Sequence, residues 1–253
     1  MDLGLKNKKV ILTGGSKGIG FYTTKLLISE GCRVAFCARN GQNIKNALQL
    51  LGDDNGAALG FTANLENETE TRRFAEEAIE QLEGVDLLIH NASGFDHQGD
   101  EEGWMRSFQV DMMAGVRLVE TAIESLKTSS AASITFVGSM ASKFHFGNRP
   151  NAYGPSKAAM RVYANDLAQQ YGKKGIRSNV VSPGAVWFEG GSWDQRKKEN
   201  PKFYSAVERK IPLGRLGSAD EIARIIAFVA SPAGIWINAE HIAADGGQVA
   251  AVY

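Results

Sequence analysis

The stretch Lys9-Val-Ile-Leu-Thr-Gly-Gly-Ser-Lys-Gly-Ile-Gly20 decides the fold. Lys9–Thr13 is a short apolar run stopped by glycine, which reads as a buried strand. Over residues 18–30 the apolar side chains Ile19, Tyr22, Leu26 and Leu27 recur near one helical face, and Gly31 supplies a stop. Gly14, Gly18 and Gly20 therefore join a strand to the helix it feeds. A Cβ in such a turn obstructs both the tight bend and the close approach of a pyrophosphate. The helix N-terminus beyond it offers free N–H groups and a partial positive charge to phosphates. The spacing is not G-x-G-x-x-G, and no Gly-Lys-Ser/Thr follows, so the turn is not a P-loop.

The same alternation continues outward. Strands are expected at residues 34–37, 57–61, 85–89, 133–137, 176–181 and 241–244. Helices are expected at 42–51, 66–82, 101–126, 152–171 and 218–230. The last of these has Ser218 as its N-cap, with Glu221 completing a capping box. Regular strand–helix alternation predicts an α/β fold. It is a single-domain, doubly wound parallel sheet, Rossmann-like, of about seven strands with helices on both faces. Residues 1–253 are read as one dinucleotide-binding and catalytic domain, with a polar, aromatic substrate loop or lid at about 189–210.

Composition excludes several function classes. The 28 basic and 28 acidic residues give a formal net charge of zero, which favours neither nucleic acid nor an anionic membrane as partner. Cys32 and Cys37 are five residues apart in one strand segment and point to opposite faces, which argues against a disulfide between them. His90, His97, His145 and His241 show no metal-ligand spacing, so no metal is expected. The segment Met1-Asp-Leu-Gly-Leu-Lys6 lacks the apolar core of a signal peptide, and no apolar run approaches a membrane span. The expectation is a cytoplasmic enzyme.

Tyr153 and Lys157 share one face of a helix. A free tyrosine has a pKa near 10. A cation about 4 Å away contributes roughly 4 kcal/mol at an effective dielectric of about 20, or about three pKa units. Lys157 is therefore expected to bring the phenol into a usable range. The second strand ends Cys37-Ala38-Arg39 with no acid to hold the adenine ribose hydroxyls of NAD, and Lys17 adds a second cation in the glycine turn. Two cations without a carboxylate favour NADPH over NADH. Asn91 is placed to brace the glycine turn, and small Ala92 lets a cofactor lie close.

At these residues the chain resembles the classical short-chain dehydrogenase/reductase family over nearly its whole length. The marks are Thr13-Gly-x-x-x-Gly-x-Gly20, Asn91-Ala92, Ser139, Tyr153-x-x-x-Lys157, Asn179, Pro183-Gly184 and Asp245-Gly-Gly247. The resemblance implies that Tyr153 exchanges a proton with the substrate oxygen, and that Ser139, rather than the competing Ser142, positions that oxygen. It implies that Lys157 also binds the nicotinamide ribose. It further implies cofactor contacts from Gly14, Ser16, Lys17, Gly18, Ile19, Gly20, Arg39, Asn64, Leu65, Asn91, Ala92, Pro183, Gly184 and Val186. Four positions depart from the pattern. Asp111 stands where an asparagine usually bends a helix and supports a proton relay. Ser93 replaces a glycine, Phe188 stands near a frequent threonine, and Asn64 replaces a common aspartate.

The reading is an oxidoreductase transferring hydride between NADP(H) and a carbonyl or secondary alcohol. The alternatives are an NAD-dependent alcohol dehydrogenase and a non-catalytic, dinucleotide-binding redox sensor. Phe95-Asp-His97, Phe144-His-Phe146, Trp187, Phe188, Trp193, Phe203 and Tyr204 are candidate pocket residues for an apolar or ring-bearing substrate. The resemblance implies a homotetramer, with the apolar residues 249–253 docking on a neighbour.

Overall fold

The computed structural model describes residues 1–52, 56–95, 99–145 and 150–250. Its elements in chain order are β1 (Lys9–Thr13), α1 (Gly18–Ser29), β2 (Arg33–Ala38), α2 (Gly41–Leu51), β3 (Ala58–Thr62), α3 (Glu68–Leu82), β4 (Leu87–His90), α4 (Glu101–Ser107), α5 (Ala114–Leu126), β5 (Ser133–Val137), α6 (Tyr153–Tyr171), β6 (Arg177–Pro183), β7 (Val186–Trp187), α7 (Ser192–Glu199), α8 (Pro201–Lys210), β8 (Gly217–Ser218), α9 (Ala219–Ala230) and β9 (His241–Ala244). Seven strands form one parallel sheet in the order β3-β2-β1-β4-β5-β6-β9. The chain winds outward from β1 to β3, then returns to lay β4 on the other side of β1. That reversal leaves a crevice at the carboxyl ends of β1 and β4, where ligands bind in open sheets.

Alternating side chains feed two cores. Val10 and Leu12 join Leu27 of α1 and Ile222 and Ile226 of α9 on one face. Ile11 joins Phe74 of α3, Leu118 of α5, Phe136 of β5 and Met160 of α6 on the other. Burial on both faces explains why the inner strands read as apolar runs. Cys32 and Cys37 are free and buried, and belong to opposite cores. Burial pushes each thiol up to about 12.

Local chemistry sets the helix ends. Asn40 caps α2 by accepting from the N–H groups of Gln42 and Asn43. Both halves of the capping box at α9 are present, with Ser218 Oγ 3.3 Å from Glu221 N and Glu221 Oε2 2.8 Å from Ser218 N. Arg215 hydrogen-bonds the same carboxylate and does most to hold Glu221 down at about 2.

Two expectations are corrected. Residues 101–126 are not one continuous α-helix: Phe108–Met113 form a π-helical turn between α4 and α5. The buried ring of His90 reaches the carbonyls of Val110 and Asp111 and draws them out of the α ladder. Residues 189–210 are not a loop, because α7 and α8 occupy most of them. Asn200 caps α8 with Pro201 in its first turn, and an Asp194–Lys198 ion pair of 2.7 Å supports α7. Trp193, Tyr204, Val207 and Ile211 form a small separate core beneath these helices with Ala185 and Leu216. The charged run Asp194–Lys198 masks that apolar face in the sequence.

Among the described residues no helix is long and apolar enough to cross a membrane. No group of three or more His, Cys, Asp or Glu among them could hold a metal ion.

Arg177 secures the far end of α9. Its Nη1 donates to the carbonyls of Val229 (2.9 Å) and Ile237 (3.0 Å), and its Nη2 to those of Ala230 and Ser231 (both 3.0 Å). The carbonyls of Val229, Ala230 and Ser231 sit at the negative end of the helix dipole. Arg177→Met is expected to lower stability by about 3 kcal/mol, because it leaves buried carbonyls unpaired. Denaturant unfolding of the two proteins checks this.

Candidate active site

Thr13, the last residue of β1, organises the crevice. Its Oγ1 accepts from the N–H groups of Asn91 and Ala92, each at 3.0 Å, and lies 3.0 Å from His90 Nδ1. His90 Nε2 is 3.1 Å from Val110 O and 3.2 Å from Asp111 O. Carbonyls only accept, so Nε2 carries the hydrogen and Nδ1 receives the Thr13 hydroxyl proton. The ring is thus satisfied as a neutral imidazole. Burial, with the Lys157 charge next, pushes its pKa down to about 4.

The glycine turn fits a dinucleotide. Asn91 Nδ2 donates to the carbonyls of Thr13 (3.0 Å) and Gly14 (3.2 Å). A Cβ on Gly20 would lie 2.1 Å from Gly14 O and 2.5 Å from Asn91 Nδ2. Gly14 and Gly18 hold φ of +71° and +55°, a region that favours glycine. No side chain caps α1 and its first turn has no acid, so its free N–H groups face the crevice. Phe188 packs against Gly18, whose Cβ would come within 2.7 Å of the ring.

The crevice has a volume of about 670 Å³. Gly14, Ser16, Lys17, Gly18, Ile19, Gly20, Arg39, Leu65, Asn91, Ala92, Ser139, Tyr153, Lys157, Pro183, Gly184 and Val186 all line it. Asn64 does not line it; its Oδ1 accepts from Glu66 N at 3.2 Å, and the wall there is Ala63 and Leu65. Nor is the adenine end free of carboxylates. Glu66 Oε1 lies 3.7 Å from Arg39 Nη1 and 3.9 Å from Arg106 Nε. Arg106 is also paired with Glu102 at 2.9 Å, and of these four groups Arg39 lines the crevice.

Of the aromatic candidates, Phe95, Phe188 and Trp193 reach the crevice. Phe95 meets the Tyr153 ring edge-on at 5.3 Å. Phe203 stacks on Trp193 at 6.1 Å and Tyr204 packs beneath it in the small core. Phe144, His145 and Trp187 are exposed and do not line the crevice. Asp96, His97, Phe146 and residues 251–253 lie outside the described residues.

At the crevice floor Tyr153 begins α6, and Ser139 follows β5. Ser139 and Tyr153 line the crevice together, and the Ser139 Oγ caps the following turn by accepting from Ala141 N at 3.1 Å. Ser142 instead donates to Ser139 O at 2.8 Å and does not line the crevice. Lys157 lies one turn below Tyr153, its Nζ 6.0 Å from the ring centroid. That ammonium is 1% exposed and donates to Val137 O at 2.9 Å. It also forms an ion pair with Asp111 Oδ1 at 2.9 Å, though without the alignment of a good hydrogen bond. Asp111 is fully buried, and its Oδ2 accepts from Gly94 N at 3.1 Å.

Lys157 acts on Tyr153 in the expected direction but is opposed. The Tyr153 phenol is raised above the ordinary tyrosine value, first by loss of water. Lys157 and Ser139 pull it down, but Asp111 pushes it up.

A family model described as enoyl-(acyl carrier protein) reductase matches residues 14–248. The chain belongs to the classical short-chain dehydrogenase/reductase family. Members are oxidoreductases that use a nicotinamide dinucleotide and act on CH–OH or C=O groups. The isoepoxydon dehydrogenase patN of Penicillium expansum is 35% identical over 250 residues, covering 98% of this chain and 96% of the relative. An NADPH-bound short-chain oxidoreductase of Pseudomonas aeruginosa PAO1, described as containing an atypical catalytic center, is 29% identical with a TM-score of 0.85; the match covers 98% of this chain and all of that one (100%). A blue fluorescent protein from a metagenomic library, in complex with NADPH, is 26% identical with a TM-score of 0.86, over 97% of this chain and 99% of that one.

Gly94, Val110 and Val137 also line the crevice but carry no motif signal. His90 was legible only as a histidine without metal spacing. Its position immediately before Asn91-Ala92, at the end of a buried strand, was the available clue.

His90 makes native stability depend on pH. The unfolded histidine titrates near 6.5 and the buried one near 4. Below 6.5 the unfolded chain binds the extra proton, so the contribution is complete above 6.5 and is lost as pH falls towards 4. The loss amounts to about 3 kcal/mol. His90→Asn is expected to flatten the dependence over that window by about one proton, read from denaturation curves at a series of pH values.

Proposed function

We propose that this short-chain dehydrogenase/reductase is an NADP(H)-dependent enzyme interconverting a ketone and a secondary alcohol, with an apolar or ring-bearing substrate. The observation that carries this reading is the crevice floor, which Ser139, Tyr153 and Lys157 line together, with Lys157 one turn below Tyr153. A bound dihydronicotinamide supplies the hydride that the carbonyl carbon accepts. Tyr153 Oη gives its proton to the carbonyl oxygen, while Ser139 Oγ holds that oxygen in place. Lys157 stabilises the resulting phenolate and faces the crevice where the nicotinamide ribose belongs.

The glycine turn and the α1 N-terminus hold the pyrophosphate, and Asn91, Ala92, Pro183, Gly184 and Val186 line the remaining cofactor path. Lys17 and Arg39, both exposed at the adenine end, suit a 2′-phosphate. The NADPH in two structural neighbours supports that choice. Phe95, Phe188 and Trp193 give the substrate end its apolar character. The homotetramer reading is supported by Trp104, Met105 and Phe108, exposed apolar residues on α4 and the π turn, and by Val162 on α6.

A panel of cyclic and open-chain ketones assayed with both cofactors tests the reading. NADPH is expected to give kcat/KM at least about tenfold above NADH, the worth of roughly one charge-assisted contact. Tyr153→Phe is expected to lower kcat by about 100-fold or more. Turnover that survives this substitution removes the mechanism.

A further inference from the structure

Lys157 and Asp111 face each other inside the protein. The carboxylate is 0% exposed, the ammonium 1%, and they are 2.9 Å apart. Each has a backbone partner besides: Val137 O for the ammonium, Gly94 N for Asp111 Oδ2. The π turn brings Asp111 to this depth, and His90 holds the turn by its carbonyls. The ammonium is thus paired with a full negative charge where a neutral side chain would leave it unopposed.

We propose that Asp111 is a positioning residue that offsets the charge of Lys157 and keeps Tyr153 protonated into the alkaline range, so that the site serves carbonyl reduction over alcohol oxidation at neutral pH. This rests on the reading of Tyr153 as the proton-transfer group. Reduction needs the phenol with its proton; that proton passes to the carbonyl oxygen and solvent restores it. Oxidation needs the phenolate, to take the alcohol proton. Among the described residues, the groups that face Tyr153 come from four places. Lys157 lies below it on α6, Ser139 stands beside it after β5, and the uncharged Phe95 ring covers it after β4. Asp111 comes from the π turn, and His90 of β4 stands behind it as a neutral imidazole. The one cation in this set is already paired, and burial and Asp111 both act to raise the phenol.

The test is the phenolate absorbance of the cofactor-free protein, as the difference between wild type and Tyr153→Phe, repeated in an Asp111→Asn background. The wild-type midpoint is expected above about 10, the ordinary tyrosine value. Asp111→Asn is expected to lower it by at least about one pH unit, since it removes a charge opposing a nearby cation. The alkaline limb of ketone reduction moves down with it. An unchanged midpoint in the Asp111→Asn protein overturns the proposal. If that variant does not fold, a wild-type midpoint below about 9 overturns it equally. Activity surviving Tyr153→Phe would remove the proposed mechanism while leaving the absorbance readout of Asp111 intact, so the two failures are distinguishable.

Discussion

The active-site end of this fold is arranged around one expensive act, the burial of the Lys157 ammonium. An unpaired cation taken out of water is costly, and removing one partner of a buried pair typically destabilises by about 3–5 kcal/mol. Val137 O meets the ammonium from the end of β5 and Asp111 from the π turn. The turn exists because His90 engages its carbonyls, and His90 is held in turn by Thr13 at the end of β1. Strand ends, helix interruption and the buried lysine are parts of one hydrogen-bonded system.

The same system reaches the glycine turn. Thr13 Oγ1 accepts from Asn91 and Ala92, and Asn91 returns two hydrogen bonds to the backbone of Thr13 and Gly14. The glycine turn and the crevice floor are therefore referenced to one hydroxyl. Proximity of two bound reactants matters only when their supports do not drift relative to each other. A shared hub at the switch point of the sheet meets that requirement.

Much of this was legible in the chain. Lys9–Thr13, Ser133–Val137 and His241–Ala244 are strands as expected, because apolar runs ended by turn residues have few alternatives. The capping box at Ser218 and Glu221 was equally plain, since its chemistry is local. Helices α7 and α8 were not, because Trp193 and Tyr204 bury themselves in a small core with Ala185, Val207, Ile211 and Leu216, separate from the main ones. A bend at Asp111 was implied by the resemblance, but its π geometry and its contact with His90 were not, because that histidine lies on a strand 20 residues earlier than Val110.

The sequence by itself determined the order of strands and helices, the glycine turn and the presence of Ser139, Tyr153, Lys157 and Asp111, since periodicity and residue type are local properties. Tertiary structure alone decided which charges meet. Glu66 stands against Arg39 only because β3 lies beside β2, and Asp111 reaches Lys157 only because the helix widens over His90. Coulomb energy depends on distance and on exclusion of water, and neither is set until the sheet and its helices close.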